Sequence, residues 1–352
     1  MNRANRNGRL AMLMTRVAVA MILASCGTAG ALAQSDDFYK GKTFTIVVGS
    51  TPGGSFNANA RGVSRYIGNY IPGNPTVVVQ NMPGAGSLTA VRHLEGGGAK
   101  DGTVMTVFLP GIITQSIVEP EKIQLDMSKY TWIGVVSPDY FRVCYGFGPN
   151  GVKSWSDLMS RSKERPFIMG TTGTGASNYI NGTSLRDVFG AQVKIIMGFP
   201  GATEIRLAVE RGELDGDCSG FASIAPDWIQ NNKANVFIRL SEQRAPGIPD
   251  SAVYVGDYAK TDQQRQLLQF LYGADELGRP FIMSRLVPAE RVAIIRKAFS
   301  DTRKDKAFIA EMEKQQLPVL PLSGEETEAA YRRMMSVSPD IVAQAKKIYH
   351  FD

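Results

Sequence analysis

The chain has 352 residues, with 39 Lys and Arg against 33 Asp and Glu and a formal net charge of +6. Four of the basic residues and none of the acids lie in residues 1–33, so the remaining 35 basic residues nearly balance the 33 acidic ones. With no Lys/Arg-rich run beyond that point, charge implies neither nucleic acid nor an anionic membrane surface as a partner.

At the start of the chain, Arg3, Arg6, Arg9 and Arg16 form a basic segment ahead of the short apolar run from Val17 to Leu23. Ala31-Leu32-Ala33 then supplies small residues of the kind cut after an export signal. The run falls well below the ~20 apolar residues of a lasting membrane span. Residues 1–33 are therefore read as a signal peptide cleaved near Ala33, which places the mature protein in the periplasm. Leu23-Ala24-Ser25-Cys26 resembles a lipobox and offers a second route, lipid anchoring at Cys26. Of the cysteines beyond it, Cys144 and Cys218 sit in strand-like segments. In an oxidising compartment they could form one bridge, but two separately buried thiols are the expectation.

The remaining ~319 residues exceed what one core usually serves, so two domains are expected. Thr43 to Val48 suits a buried strand, and Thr51-Pro52-Gly53-Gly54-Ser55 breaks it. Phe56, Ala60, Val63, Ile67 and Ile71 then recur at helical spacing. A strand over Thr76 to Gln80 leads to the turn Asn81 to Ser87, where Ser87 is placed to cap the next helix. Strands follow at Thr103 to Phe108, Trp132 to Val136 and Phe141 to Tyr145. The last two mark a crossing between domains.

The same grammar restarts beyond them. Ser154 to Asp157 reads as a capping box, and Phe167 to Met169 as a strand before the loop Gly170 to Gly175. A helix near Ala176, a strand at Val193 to Met197 and the loop Gly198 to Gly201 come next. The helix Ala202 to Arg211 stops at Gly212, and strands follow at Leu214 to Cys218 and Asn235 to Leu240. From about residue 262 the chain turns helical, apart from a strand near Pro280 to Met283. The last helix is predicted from about Glu325 to Ile348, with the tail returning onto the first domain. Such alternation predicts an α/β fold with largely parallel sheets.

A strand, a Gly/Ser/Thr loop and a helix N-terminus recur at 51–55, 83–87, 171–177 and 200–202. Ligands of open α/β sheets settle outside the carboxyl ends of the strands, where a helix N-terminus offers unpaired N–H groups and partial positive charge. Glycine lets the backbone approach, and Ser55, Thr172, Thr174 and Ser177 add hydroxyls. The pattern points to a carboxylate held by neutral donors, without an arginine clamp. Enzyme signatures do not fit. Gly173-Thr174-Gly175 meets Asn178 where a dinucleotide fingerprint needs its third glycine, and neither a phosphate-loop string nor a G-x-S-x-G elbow occurs. His93 and His350 are isolated. Asp215 and Asp217 share a strand face and can flank a hinge. No catalytic residue, metal or cofactor is assigned.

Phe38-Tyr39-Lys40-Gly41-Lys42, Pro52-Gly53-Gly54, Val78 to Gly86, Lys100 to Thr103, Gly173 to Ser177 and Gly201 through Asp215 follow in a recognisable order. The set resembles the substrate-binding proteins of tripartite tricarboxylate transporters, the Bug or TctC-like family. That resemblance implies a two-lobed, type II-like periplasmic binding fold, each lobe a mixed sheet flanked by helices, with a hinge and an interlobe cleft. The expected lobes are 36–139 plus 254–352 and 140–253. It implies a small organic di- or tricarboxylate ligand, the membrane permease subunits of such a transporter as partner, and a monomer. Delivery to a sensor kinase is the alternative, with an exported α/β enzyme behind it. Expected ligand contacts are Pro52, Gly53, Gly54, Ser55 and Asn57, with Gly84 and Ala85, from the first lobe. Thr172, Gly173, Thr174, Gly175, Ser177, Pro200 and Gly201 face them from the second, with Asp217 and Ser219 behind. Two departures warn against copying a relative's ligand. The family often carries an acid at the position of Asn57, and a histidine where Asn178-Tyr179 stand.

Overall fold

The computed structural model describes residues 38–137, 141–149, 151–242, 244, 246–315 and 317–349. The expected signal peptide and cleavage site, Cys26 and His350 lie outside the described residues.

Twelve described strands form two six-stranded sheets. They are β1 (Thr43–Val48), β2 (Thr76–Asn81), β3 (Val104–Val107), β4 (Tyr130–Val135), β5 (Arg142–Phe147), β6 (Phe167–Thr171), β7 (Val193–Met197), β8 (Gly216–Gly220), β9 (Ala234–Arg239), β10 (Val253–Tyr254), β11 (Pro280–Ser284) and β12 (Leu322–Ser323). The first sheet has the order β12-β4-β11-β3-β1-β2, the second β10-β9-β5-β8-β6-β7. Parallel pairing of β1 with β2 and β3, and of β6 with β7 and β8, gives each sheet an edge where carboxyl ends gather. Antiparallel β5 returns through the second sheet, so its first residue, Arg142, stands opposite Gly220 at that edge.

Nine of the helices position the site and its packing: α1 (Ser55–Tyr66), α2 (Leu88–Gly96), α3 (Gly111–Val118), α4 (Ser177–Asp187), α5 (Ala202–Glu210), α6 (Asp262–Gly273), α7 (Ala289–Thr302), α8 (Gly324–Met335) and α9 (Pro339–Ile348). They cover both faces of both sheets. Phe44, Ile46 and Phe281 are buried against Val63 of α1 and Phe299 of α7, while Trp132 and Ile282 face Val91 of α2 and Ala330 of α8. In the second sheet Tyr145 and Val236 pack with Ile205 and Val209 of α5, and Phe167 and Phe237 with Leu185 of α4. None of the described helices is long and apolar enough to cross a membrane.

Four expectations are corrected. Ser87 does not cap α2: at φ 84° its hydroxyl turns away, donating to Gly49 O at 2.8 Å and accepting from Leu109 N at 3.0 Å. It thereby ties together the loops leaving β1 and β3. Ser154 accepts from Asp157 N, but the Asp157 carboxylate reaches Lys153 N, so only half of that capping box forms. The terminal helix is two, because Ser338 and Pro339 start α9 afresh. Nor does the tail rest on the first sheet's helices alone. Leu267 and Phe270 of α6 and Ile341 and Ala345 of α9 share a cluster with Tyr179 and Ile180 of α4.

Cys144 and Cys218 are bonded, contrary to the expectation of separate thiols. They are direct partners across the antiparallel β5–β8 pair, with Cα atoms 4.0 Å apart, which brings the sulfurs together. Sequence separation, 74 residues, hid the pairing.

Candidate functional site

The carboxyl edges of the two sheets face one another, and the glycine loops that leave them meet. Gly86, at φ +61°, packs so closely on Gly175 that a Cβ on it would stand 2.9 Å from the Gly175 Cα. A Cβ on Gly201 would collide with the Thr51 hydroxyl. Polar contacts cross the same junction. Gln115 Nε2 donates to Thr174 Oγ1 at 2.7 Å, and Thr203 Oγ1 approaches Pro52 O at 3.4 Å. Buried Arg142 and Asp275 form an ion pair at 2.7 Å, joining β5 to the segment that leads into β11.

Between the loops lies a cavity of about 80 Å³, lined from the first sheet's side by Ser50, Thr51, Gly54, Ser55, Phe56 and Leu109. Arg142, Thr172, Ala176, Ser177, Asn178, Gly201, Ala202, Ile205, Asp217, Ser219, Gly220 and Ser223 line it from the other. A neighbouring cavity of about 260 Å³ shares Ser50, Leu109 and Thr172, and adds Gly84, Gly86, Ser87, Phe199 and Pro200.

Three helices begin at the first cavity: α1 after Gly54, α4 after Ala176 and α5 after Gly201. None has a side-chain cap at its N-cap residue. That is a consequence of sequence, since Gly and Ala have no side-chain oxygen to turn back on the first-turn N–H groups. The N-termini thus keep their capacity for an anion. The hydroxyls around them share this property. Thr172 Oγ1 and Ser177 Oγ are buried without a hydrogen-bond partner among the described residues. Buried hydroxyls are normally satisfied, so these two mark where a further acceptor or donor belongs.

Charge enters as well. Asp217 is 6% exposed, and its burial pushes the carboxyl up to about 6. The Ser219 hydroxyl, the Cys218 N–H, the Asn178 amide and the Arg142 charge pull the other way without cancelling that effect. Asn178 is fixed by its own bonds, donating to Gly170 O at 2.9 Å and accepting from Thr171 Oγ1 at 2.8 Å. Its amide nitrogen lies 3.5 Å from Asp217 Oδ1. On the opposite wall, buried Arg279 donates to Ser55 Oγ at 3.0 Å and lies over the Phe56 ring.

Of the residues expected from sequence, Gly54, Ser55, Thr172, Ser177, Gly201, Asp217 and Ser219 line the first cavity, and Gly84 and Pro200 line its neighbour. Gly173, Thr174 and Gly175 serve the contact between loops, as do exposed Pro52 and Gly53. Ala85 is at φ 44° in the turn before α2. Asn57 is buried in the first turn of α1, its Oδ1 without a partner among the described residues. Sequence reasoning missed Arg142, Asn178 and Arg279. Asn178 had a signal, three residues past Gly175 at a helix start. The arginines carry no motif; beside the cavity Arg142 is held by Asp275 and Arg279 donates to Ser55.

No family model matches the chain. A UPF0065 protein from the TAR-I ttuE–ttuC′ intergenic region of Agrobacterium vitis is 22% identical over 221 residues, which is 62% of this chain and 62% of that relative's length. Three solved structures share the whole architecture. The periplasmic binding protein BugD matches with a TM-score of 0.70 at 18% identity, over 88% of this chain and 98% of its own. A protein of R. palustris with adipate gives 0.69 at 14% identity, over 87% and 97%. MatC from Rhodopseudomonas palustris with bound malate gives 0.68 at 16%, over 88% and 99%. The resemblance to Bug and TctC proteins read from the ordered motifs is therefore met in the fold: two mixed sheets flanked by helices, a periplasmic binding protein architecture.

Proposed function

We infer that the chain is an extracytoplasmic solute-binding receptor that captures a small organic carboxylate, di- and tricarboxylates included, between its lobes. The observation that carries this reading is the convergence of three uncapped helix N-termini on a cavity with two unsatisfied buried hydroxyls, Thr172 and Ser177. Such a wall recognises an anion through dipoles and neutral donors. Adipate and malate in two proteins of the same fold support the ligand class. The lobes would be 36–139 plus 254–352 and 140–253, moving about the crossings between the sheets. Export to the periplasm and delivery to a tripartite tricarboxylate-type permease complete the proposal, and a receptor of this kind releases its ligand unchanged.

A thermal-shift screen of residues 34–352 against organic acids, aromatic acids and amino acids tests it. An acid at about 100 times its Kd adds roughly 2.7 kcal/mol of stability. Thr172→Val with Ser177→Ala removes two hydrogen bonds to a charged group, each contributing about 1.5–3 kcal/mol, so the shift should vanish at the same ligand concentration. A full shift in the double variant, or a shift with sugars or nucleotides alone, would contradict the reading.

A further inference from the structure

The cavity holds an acid that a receptor for a second carboxylate would avoid. Asp217 is buried in its wall, and its nearest partners are neutral: the Asn178 amide, the Cys218 N–H and the Ser219 hydroxyl. The nearest cation, Arg142, is already matched by buried Asp275 at 2.7 Å. At the rim, Glu204 Oε2 is buried without a hydrogen-bond partner among the described residues, 3.1 Å from where a Cβ on Gly201 would sit. Of the described charged residues, then, only Asp217 and Arg142 line the cavity, and Arg142 has its counter-charge in Asp275. A dianion would set its second charge against Asp217 in a place where water screens poorly. An ammonium supplies three donors and a positive charge to the same oxygens.

We propose that the ligand is a small aminocarboxylate, its carboxylate at the first turns of α1, α4 and α5 with Thr172 and Ser177, and its ammonium on Asp217. This rests on the receptor reading and narrows its ligand class. Burial makes the contact selective, because a charged carboxyl held among neutral donors gains most from a true counter-ion. The raised carboxyl of Asp217 agrees with that wall, since it registers the missing partner.

Calorimetric titration at neutral pH with matched pairs decides it: glycine and malonate, alanine and methylmalonate, 3-aminopropanoate and succinate, 4-aminobutanoate and glutarate. The expected result is that the best aminocarboxylate binds about tenfold or more tighter than its dicarboxylate counterpart. Asp217→Asn should then weaken that aminocarboxylate about tenfold or more and leave the dicarboxylate equal or tighter. A tighter dicarboxylate in the parent protein overturns the proposal, as does unchanged selectivity in a folded Asp217→Asn. If that variant fails to fold, the parent panel still decides. Binding of dicarboxylates alone removes this proposal and leaves the receptor; binding of neither class removes both.

Discussion

Asp217 shows how one residue can be costly to the fold and useful to the site. Its carboxyl rests at about 6 in the folded chain against an ordinary 3.8, because burial opposes the charge more than its donors support it. The sign of the consequence follows. Below pH about 4 the group is protonated in folded and unfolded chains alike, and no penalty arises. Between about pH 4 and 6 the unfolded chain ionises while the folded chain keeps its proton, so stability falls across that window relative to a chain without the acid. Above about pH 6 the penalty is complete. Asp217→Asn, which keeps the size and one acceptor oxygen, should therefore be more stable than the parent at pH 8 without ligand. The gain should be on the order of 2 kcal/mol and should disappear near pH 4. Urea denaturation of both chains at the two pH values measures it, and equal stability at pH 8 would mean that Asp217 has a counter-charge.

At the scale of elements, the site is a product of close loop contact, which glycine permits. Gly201 is extended, so its backbone needs no glycine; its neighbour does, because a side chain there meets Thr51 across the junction. Gly201→Val should leave the second sheet intact and keep the loops apart, lowering ligand affinity about 10- to 100-fold with little loss of thermal stability. Titration calorimetry beside a melting curve checks both halves, and unchanged affinity would take the 200–202 loop out of the site. These loops were legible in the sequence because β-branched strands, glycine turns and helical periodicity alternate without interruption from Thr43 to Leu240. What was not legible depends on pairing across the sheet. Arg142 opens a strand with nothing to distinguish it, and only the antiparallel return of β5 beside β8 brings it to the cavity. The same register joins Cys144 to Cys218, which spacing alone does not reveal. Ser87 failed as a cap for a local reason: its left-handed backbone aims the hydroxyl at Gly49, a geometry that residue type does not encode. Asn57, singled out as a departure from the resembled family, sits in the first turn of α1 behind the cavity wall.

On the scale of the whole molecule, two sheets present their carboxyl edges to each other across contacts made mostly by side-chain tips and glycine backbone. Thr203 to Pro52 O and Ser223 to Ser55 are long contacts at 3.4 Å, and Gln115 to Thr174 is a single amide–hydroxyl bond. Contacts of that kind add little net stability each, about 1 kcal/mol, so a ligand that bonds both walls can set the balance between open and closed forms. The cluster shared by α4, α6 and α9, with the buried Arg142–Asp275 pair, supplies the continuous packing about which the lobes would turn. Small-angle X-ray scattering of residues 34–352, with and without a saturating amount of the acid that gives the largest thermal shift, tests this most directly. Lobe closure on the ligand gives a smaller radius of gyration with the acid, reversed when the acid is dialysed away and recovered unchanged. Identical scattering curves at full occupancy, or an acid recovered as a different compound, would contradict it.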